Sequence, residues 1–185
     1  MIYLVRHGLD DESYIGGYSD VDLIDFGKNQ IHEVGIWLKR QELDVNRIYT
    51  SDIKRAITTG GIINSYLGLP IFETEDLREL DKGMLTGMKK DVAMIEYPDY
   101  VNVNDVSIRY PNGESMLDLY MRIRNLLNNI NIYDKSLLVT HRGVINMLYC
   151  LIRNDVLDMN KERYNVSYGS VHELNLNKMK IRRIR

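Results

Sequence analysis

Met1-Ile2-Tyr3-Leu4-Val5-Arg6-His7-Gly8 is the stretch whose reading decides the fold. Ile2 to Val5 form an unbroken apolar and aromatic run, the pattern of a strand buried on both faces of a parallel sheet. The run stops at Arg6, His7 and Gly8. In an open α/β sheet the carboxyl ends of the strands face the crevice where ligands bind. Arginine offers there a planar fork of donors that matches phosphate oxygens. Histidine offers a nucleophile or acid–base group that titrates near neutrality, and glycine lets a ligand approach the backbone closely. On its own, such a tripeptide also fits a surface turn. A second instance weakens that reading, because Ser136-Leu137-Leu138-Val139-Thr140 is another buried-strand run and it ends in His141-Arg142-Gly143.

Length and composition bound the rest. The chain has 185 residues, 44% hydrophobic and 27% charged, which favours one globular domain over 1–185 with a sizeable core. The net charge of −2 argues against a nucleic-acid or anionic-membrane partner, so anion binding must be local. The single cysteine, Cys150, excludes an internal disulfide and fits a reducing compartment. It lies in the apolar run Val144 to Ile152, where a buried, inert thiol is expected. Charge appears as early as Arg6, so no signal peptide is expected, and no apolar stretch approaches the roughly 20 residues of a membrane span. A cytoplasmic protein is the expectation.

Strand and helix patterns alternate along the chain. Residues 9–25, rich in Asp, Gly and Ser, read as a loop on the active side. A helix is expected from about Phe26 to Gln41, with Ile31, Val34, Gly35 and Leu38 on its apolar face. Arg47 to Thr50 reads as a short strand, and Ser51 as the N-cap of a helix carrying Ile53, Ala56, Ile57, Ile63 and Leu67, weakened by Gly60 and Gly61. Ile71 to Glu73 is a third strand candidate after Pro70. Residues 74–113 are irregular, with a short helix near Lys89 to Glu96, and so long an irregular segment is often a lid or substrate wall. A clear helix spans Glu114 to Ile130, with Met116, Leu119, Tyr120, Ile123, Leu126, Leu127 and Ile130 as its stripe. After Ser136–Thr140 comes a helix from Val144 to Arg153. Val171 to Ile184 reads as a hairpin about Asn177-Lys178, its basic residues Lys178 to Arg185 a solvated edge. The alternation predicts an α/β fold, a sandwich with a largely parallel sheet.

Collected in order, these residues resemble the histidine phosphatase superfamily in its phosphoglycerate-mutase-like branch. The likeness rests on Leu4-Val5-Arg6-His7-Gly8, then Gly17-Tyr18-Ser19-Asp20 with Leu23 and Gly27, then Ser51-Asp52 with Arg55-Ala56 and Thr59. It continues through Leu77-Arg78-Glu79 with Gly83 and Pro111-Asn112-Gly113-Glu114-Ser115, and ends at Val139-Thr140-His141 with Gly143-Val144-Ile145. No one motif is decisive; their order over nearly the whole chain is. The resemblance implies a three-layer α/β/α sandwich with a mostly parallel central sheet. It implies His7 as nucleophile, Arg6, Arg55, His141 and Gly17 as the phosphate pocket, and Glu79 as proton donor, with His141 also counted in the catalytic set. No metal or other cofactor is implied, since arginines neutralise the phosphoryl charge; nor have His7 and His141 the ligand company usual for zinc. The implied activity is hydrolysis of a small phosphorylated metabolite. The alternatives are a phosphoglycerate mutase of the cofactor-dependent type and a non-catalytic phosphate- or partner-binding module. A homodimer fits the family, with Trp37 and the tyrosines either at its interface or in the core.

Three positions depart from the family pattern. Asp10, in the acidic stretch Asp10-Asp11-Glu12, stands where a hydroxyl usually helps to bind phosphate, which points to a loop that narrows substrate choice. Arg142 follows His141 where a small residue is frequent, and is expected to offset Asp10 or to meet the substrate. Ile24 replaces the usual Thr before the first helix, so capping is expected to pass to Asp25 or Asp22. Read in isolation, Arg55 is a solvated helix residue beside Lys54, and Glu79 a surface partner of Arg78 or Lys82. His32 and His172 are read as structural or solvated.

Overall fold

The computed structural model describes residues 1–185. Six strands form one sheet: β1 (Ile2–Arg6), β2 (Arg47–Ser51), β3 (Ile71–Thr74), β4 (Ser136–Thr140), β5 (Val171–Asn175) and β6 (Lys180–Arg183), in the order β3-β2-β4-β1-β5-β6. The first four of that order run parallel, and β5 and β6 add an antiparallel hairpin beside β1. The helices are α1 (Asp25–Arg40), α2 (Lys54–Leu67), α3 (Lys90–Glu96), α4 (Pro98–Val101), α5 (Met116–Asn128) and α6 (Arg142–Arg153). None is long and apolar enough to cross a membrane.

Every residue of β1 and of β4 is buried, as their unbroken apolar runs require. Side chains alternate across the pleat. Tyr3 and Val5 join Ile31, Val34, Leu38 and Ile63 of α1 and α2 in one apolar layer. Ile2 and Leu4 join Leu119, Ile123, Val144 and Leu148 of α5 and α6 in the other. This is the α/β/α sandwich with a mostly parallel sheet. At about 25 cal/mol per Å² of apolar surface, these two layers are the principal stabilising contribution.

Local differences from the sequence reading have physical causes. The N-cap of α1 is Ile24, with no side-chain cap, and Asp22 accepts instead from the adjacent Leu23 N–H at 2.7 Å; neither aspartate caps the helix. Ser51 does not cap α2, whose N-cap is Ile53; it completes β2 and turns its hydroxyl toward His141. Gly60 lies mid-helix because an added Cβ would meet Thr50 Cγ2 at 2.3 Å, so α2 packs more closely on β2 than alanine allows. α5 starts at a capping box in which Ser115 and Asp118 bond reciprocally. Within 74–113 only α3, α4 and short 3-10 turns are regular. Trp37 is half-buried under the Arg185 guanidinium, 5.8 Å from its ring. Cys150 is buried, as expected, and burial pushes its thiol up.

Candidate active site

The register of the sheet makes the site. Arg6 pairs with Thr140, and the His7 N–H donates to the Thr140 carbonyl at 3.0 Å. The next residue on each strand is then a histidine, and the rings of His7 and His141 lie 5.1 Å apart. The two similar tripeptides are thus side by side at the carboxyl edge of the sheet.

His7 Nδ1 lies 2.8 Å from the Gly8 carbonyl, which can only accept, so Nδ1 carries the proton. Nε2 is left with its lone pair, and it accepts from Arg55 Nε at 3.2 Å. Burial, with Arg55 and Arg6 alongside, pushes the imidazole well below the usual histidine range. His7 is therefore a neutral imidazole with a defined tautomer and an unprotonated Nε2.

Arg55 is buried on the first turn of α2 rather than solvated. Its Nη2 donates to the Gly17 carbonyl at 2.8 Å and its Nη1 to Ser19 Oγ at 3.3 Å. Gly17 lines the cleft with φ +68°, and its carbonyl steadies the arginine. Asp10 Oδ2 lies 3.5 Å from Arg55 Nε. The carboxylate therefore points inward and is balanced by Arg55. Arg142 pairs with the exposed Glu162, not with Asp10.

Arg6 donates to the Val166 carbonyl at 2.8 Å and lies 3.5 Å over the Tyr168 ring, a cation–π contact. Tyr168 also meets His7 edge-on, at 5.6 Å, and its hydroxyl donates to Glu12. Arg6 Nε and His141 Nδ1 are buried and have no protein partner. His141 Nε2 shares a 2.9 Å hydrogen bond with Ser51 Oγ. Burial, Arg55 and His7 hold its imidazole well below the usual range.

Glu79 pairs with neither Arg78 nor Lys82. Its Oε1 accepts from Leu80 N–H at 2.9 Å and its Oε2 from Gly143 N–H at 3.1 Å, near the N-terminus of α6. An added Cβ at Gly143 would stand 2.1 Å from Glu79 Oε1, so the carboxylate needs a glycine there. Arg78 is engaged by Asp52, at 2.8 Å from its Oδ1. Arg122 binds Glu114 and donates to the carbonyls of Arg78 and Glu79, both at 3.0 Å.

The cleft of about 240 Å³ is lined by Arg6, His7, Asp10, Arg55, Glu79 and Arg142 among others. The structure thus gathers the residues singled out in the sequence, except that His141, its ring 5.1 Å from that of His7, is fully buried and does not line the cleft. Arg122 and Tyr168 were missed. Arg122's one sequence signal is a cation beside the apolar stripe of α5; Tyr168 lies in an irregular stretch with no pattern. His172 and His32 stay outside the site, bonded to Tyr149 and Tyr66 respectively.

Around His7 the arrangement can seat a tetrahedral oxyanion against fixed cations and buried donors, with the unprotonated Nε2 that Arg55 now holds and the Glu79 carboxyl group in the same cleft. A model of the histidine phosphatase superfamily (branch 1) matches residues 2–184. Uncharacterized phosphatase PhoE of Bacillus subtilis (strain 168) is 36% identical over 153 residues, spanning 80% of this chain and 74% of that protein. Phosphoglycerate mutase-like protein 4 of Arabidopsis thaliana is 34% identical over 159 residues, 80% of this chain and 69% of its own length. Among solved structures, Bacillus stearothermophilus YhfR aligns with a TM-score of 0.79 at 26% identity, covering 94% of this chain and 91% of that one.

Proposed function

The chain belongs to the histidine phosphatase superfamily, and on that footing we propose that it hydrolyses a small phosphorylated metabolite through a phosphohistidine on His7, acting as a single domain over 1–185. One observation carries the reading: His7 is a neutral imidazole whose Nε2 accepts from the buried Arg55 guanidinium, with the buried Arg6 next to it in the chain. A neutral nucleophile beside fixed cations is what attack on a phosphate anion requires.

The steps follow from these groups. Nε2 attacks phosphorus, the P–N bond forms and the bond to the leaving oxygen breaks. Arg6, Arg55 and His141 hold the equatorial oxygens as charge builds on them, with Gly17 keeping Arg55 in place. Glu79 gives its proton to the departing alkoxide, then takes one from water as water attacks phosphorus and the P–N bond breaks. Such general acid–base assistance contributes about 10²–10⁴-fold. Inorganic phosphate and neutral His7 remain. Arg142 and Asp10 act on substrate choice. No step calls on a metal ion. The net charge of −2 supports a small molecule over nucleic acid as partner, and the lone buried Cys150 supports a cytoplasmic setting.

The test is incubation with 3-phosphoglycerate in chelator, following released phosphate and 2-phosphoglycerate together, with His7→Ala alongside. Phosphate release that disappears in the variant is expected. Formation of 2-phosphoglycerate without phosphate release would make the protein a mutase and overturn the proposal.

A further inference from the structure

Arg6 and Arg55 are held in the phosphoryl pocket by different means. Arg55 has a counter-charge, with Asp10 Oδ2 3.5 Å from its Nε. Arg6 makes no ion pair. Burial pulls its guanidinium down from the usual arginine range, as befits a cation taken out of water with no carboxylate against it. What faces it instead is the ring of Tyr168, whose centroid lies 3.5 Å from Arg6 Cζ. Every other cation–π contact in the chain is 4.9 Å or longer, so this one alone is a close stack of guanidinium on ring.

The ring is built into place. Tyr168 is half-buried on the wall of the cleft. Its carbonyl accepts from Gln30 Nε2 at 2.9 Å, and the Gly169 N–H donates to the carbonyls of Arg6 and His7, each at 3.2 Å. The Arg6 N–H donates to the Ser170 carbonyl at 3.1 Å, and Arg6 Nη1 to that of Val166 at 2.8 Å. The segment 166–170 thus clasps Arg6 by backbone and side chain together. Burial pushes the Tyr168 phenol up, so the ring meets the cation as a neutral π face and not as a phenolate. Its hydroxyl donates to the exposed Glu12.

The difference matters to an incoming anion. A carboxylate at a guanidinium competes with phosphate for the same donors and the same charge, as Asp10 does at Arg55. An aromatic face attracts the cation through its quadrupole, uses none of its N–H donors and cancels none of its charge. We infer that Tyr168 is a positioning residue for phosphate: its ring holds Arg6 oriented in the pocket with its positive charge uncancelled, and its hydroxyl is dispensable for this. The inference rests on the phosphatase reading and adds to it a residue that acts through Arg6.

The experiment measures the Kd of inorganic phosphate by calorimetry and kcat/KM for p-nitrophenyl phosphate. It uses the wild type, Tyr168→Phe and Tyr168→Leu, and proteins with 4-fluoro-, 3,5-difluoro- or 3,4,5-trifluorophenylalanine in place of Tyr168. Fluorine drains the negative face of the ring and changes its shape little. Tyr168→Phe is expected to stay within about threefold of the wild type in both measurements, and Tyr168→Leu to lose about tenfold. The fluorinated proteins should fall stepwise between those two. A folded Tyr168→Leu protein that matches the wild type, a Tyr168→Phe protein as weak as Tyr168→Leu, or a flat fluorine series would overturn the inference and leave the phosphatase reading standing. Phosphate binding that follows the series with no turnover in any protein would keep the inferred role and remove the phosphatase reading. A wild type that neither binds phosphate nor releases it from the ester would remove both.

Discussion

Lowering the pH from 7.5 to 5 is expected to destabilise this fold through its buried histidines. His172 on β5 is fully buried, 3.0 Å from the Tyr149 hydroxyl and 2.9 Å from that of Ser170. Burial, assisted by Arg183, pulls it down to about 4, against about 6.5 for an unfolded chain. The unfolded state takes up the proton first, so this share of the stability is intact above pH 6.5 and is lost as pH falls toward 4. At pH 5 the unfolded imidazole is about 97% protonated and the folded one about 9%, a loss of roughly 2 kcal/mol. With an unfolding entropy of about 2.1 cal/mol/K per residue over 185 residues, that lowers Tm by about 5 °C. His7 and His141 are shifted in the same direction and deepen the fall. Thermal unfolding followed by circular dichroism from pH 7.5 to 5 tests this on the wild type and on His172→Gln. Glutamine cannot ionise; the variant starts lower through lost packing but should fall by about 5 °C less across the range. Parallel curves for the two proteins would refute the reasoning.

Two further outcomes are expected. Gly143→Ala places a methyl group 2.1 Å from Glu79 Oε1 and should cut kcat about 10²-fold by displacing the carboxyl group; wild-type kcat in a folded variant would show that the Glu79 position does not matter. Asp10→Thr removes the carboxylate that competes with phosphate for Arg55. At about 1 kcal/mol for such a pair, KM for anionic phosphomonoesters should drop about fivefold, and an unchanged KM across several of them would sink the idea.

What could be read from the sequence was what depends on local pattern. The runs Ile2–Val5 and Ser136–Thr140 are buried strands because each is apolar throughout, and the histidines after them fall at the sheet edge for that reason alone. Helix α5 was legible from its stripe, and the hairpin β5–β6 from its alternation about Asn177-Lys178. Distant pairings were not legible. Ser51 has the chemistry of an N-cap, yet the approach of β4 beside β2 gives its hydroxyl to His141, 90 residues away. Arg142 and Asp10 looked complementary in charge, but each found a different partner, Glu162 and Arg55. Arg122 reaches the Glu79 carbonyl across 43 residues, and no spacing in the sequence announces such a contact.

The strand order carries a consequence for how the protein is made. β1 lies between β4 and β5, so its two neighbours are drawn from residues 136–140 and 171–175. During synthesis at about 5–20 residues per second, β1 emerges from the ribosome many seconds before either neighbour exists. Until then Ile2, Leu4 and Val5 have no ladder to join, and such exposed apolar strands are hazards for aggregation. His7, at the end of β1, is therefore among the last groups to be seated. A growing chain therefore holds no competent site until β4 and β5 have left the ribosome, and products that stop short of β5 should need chaperones while releasing no phosphate.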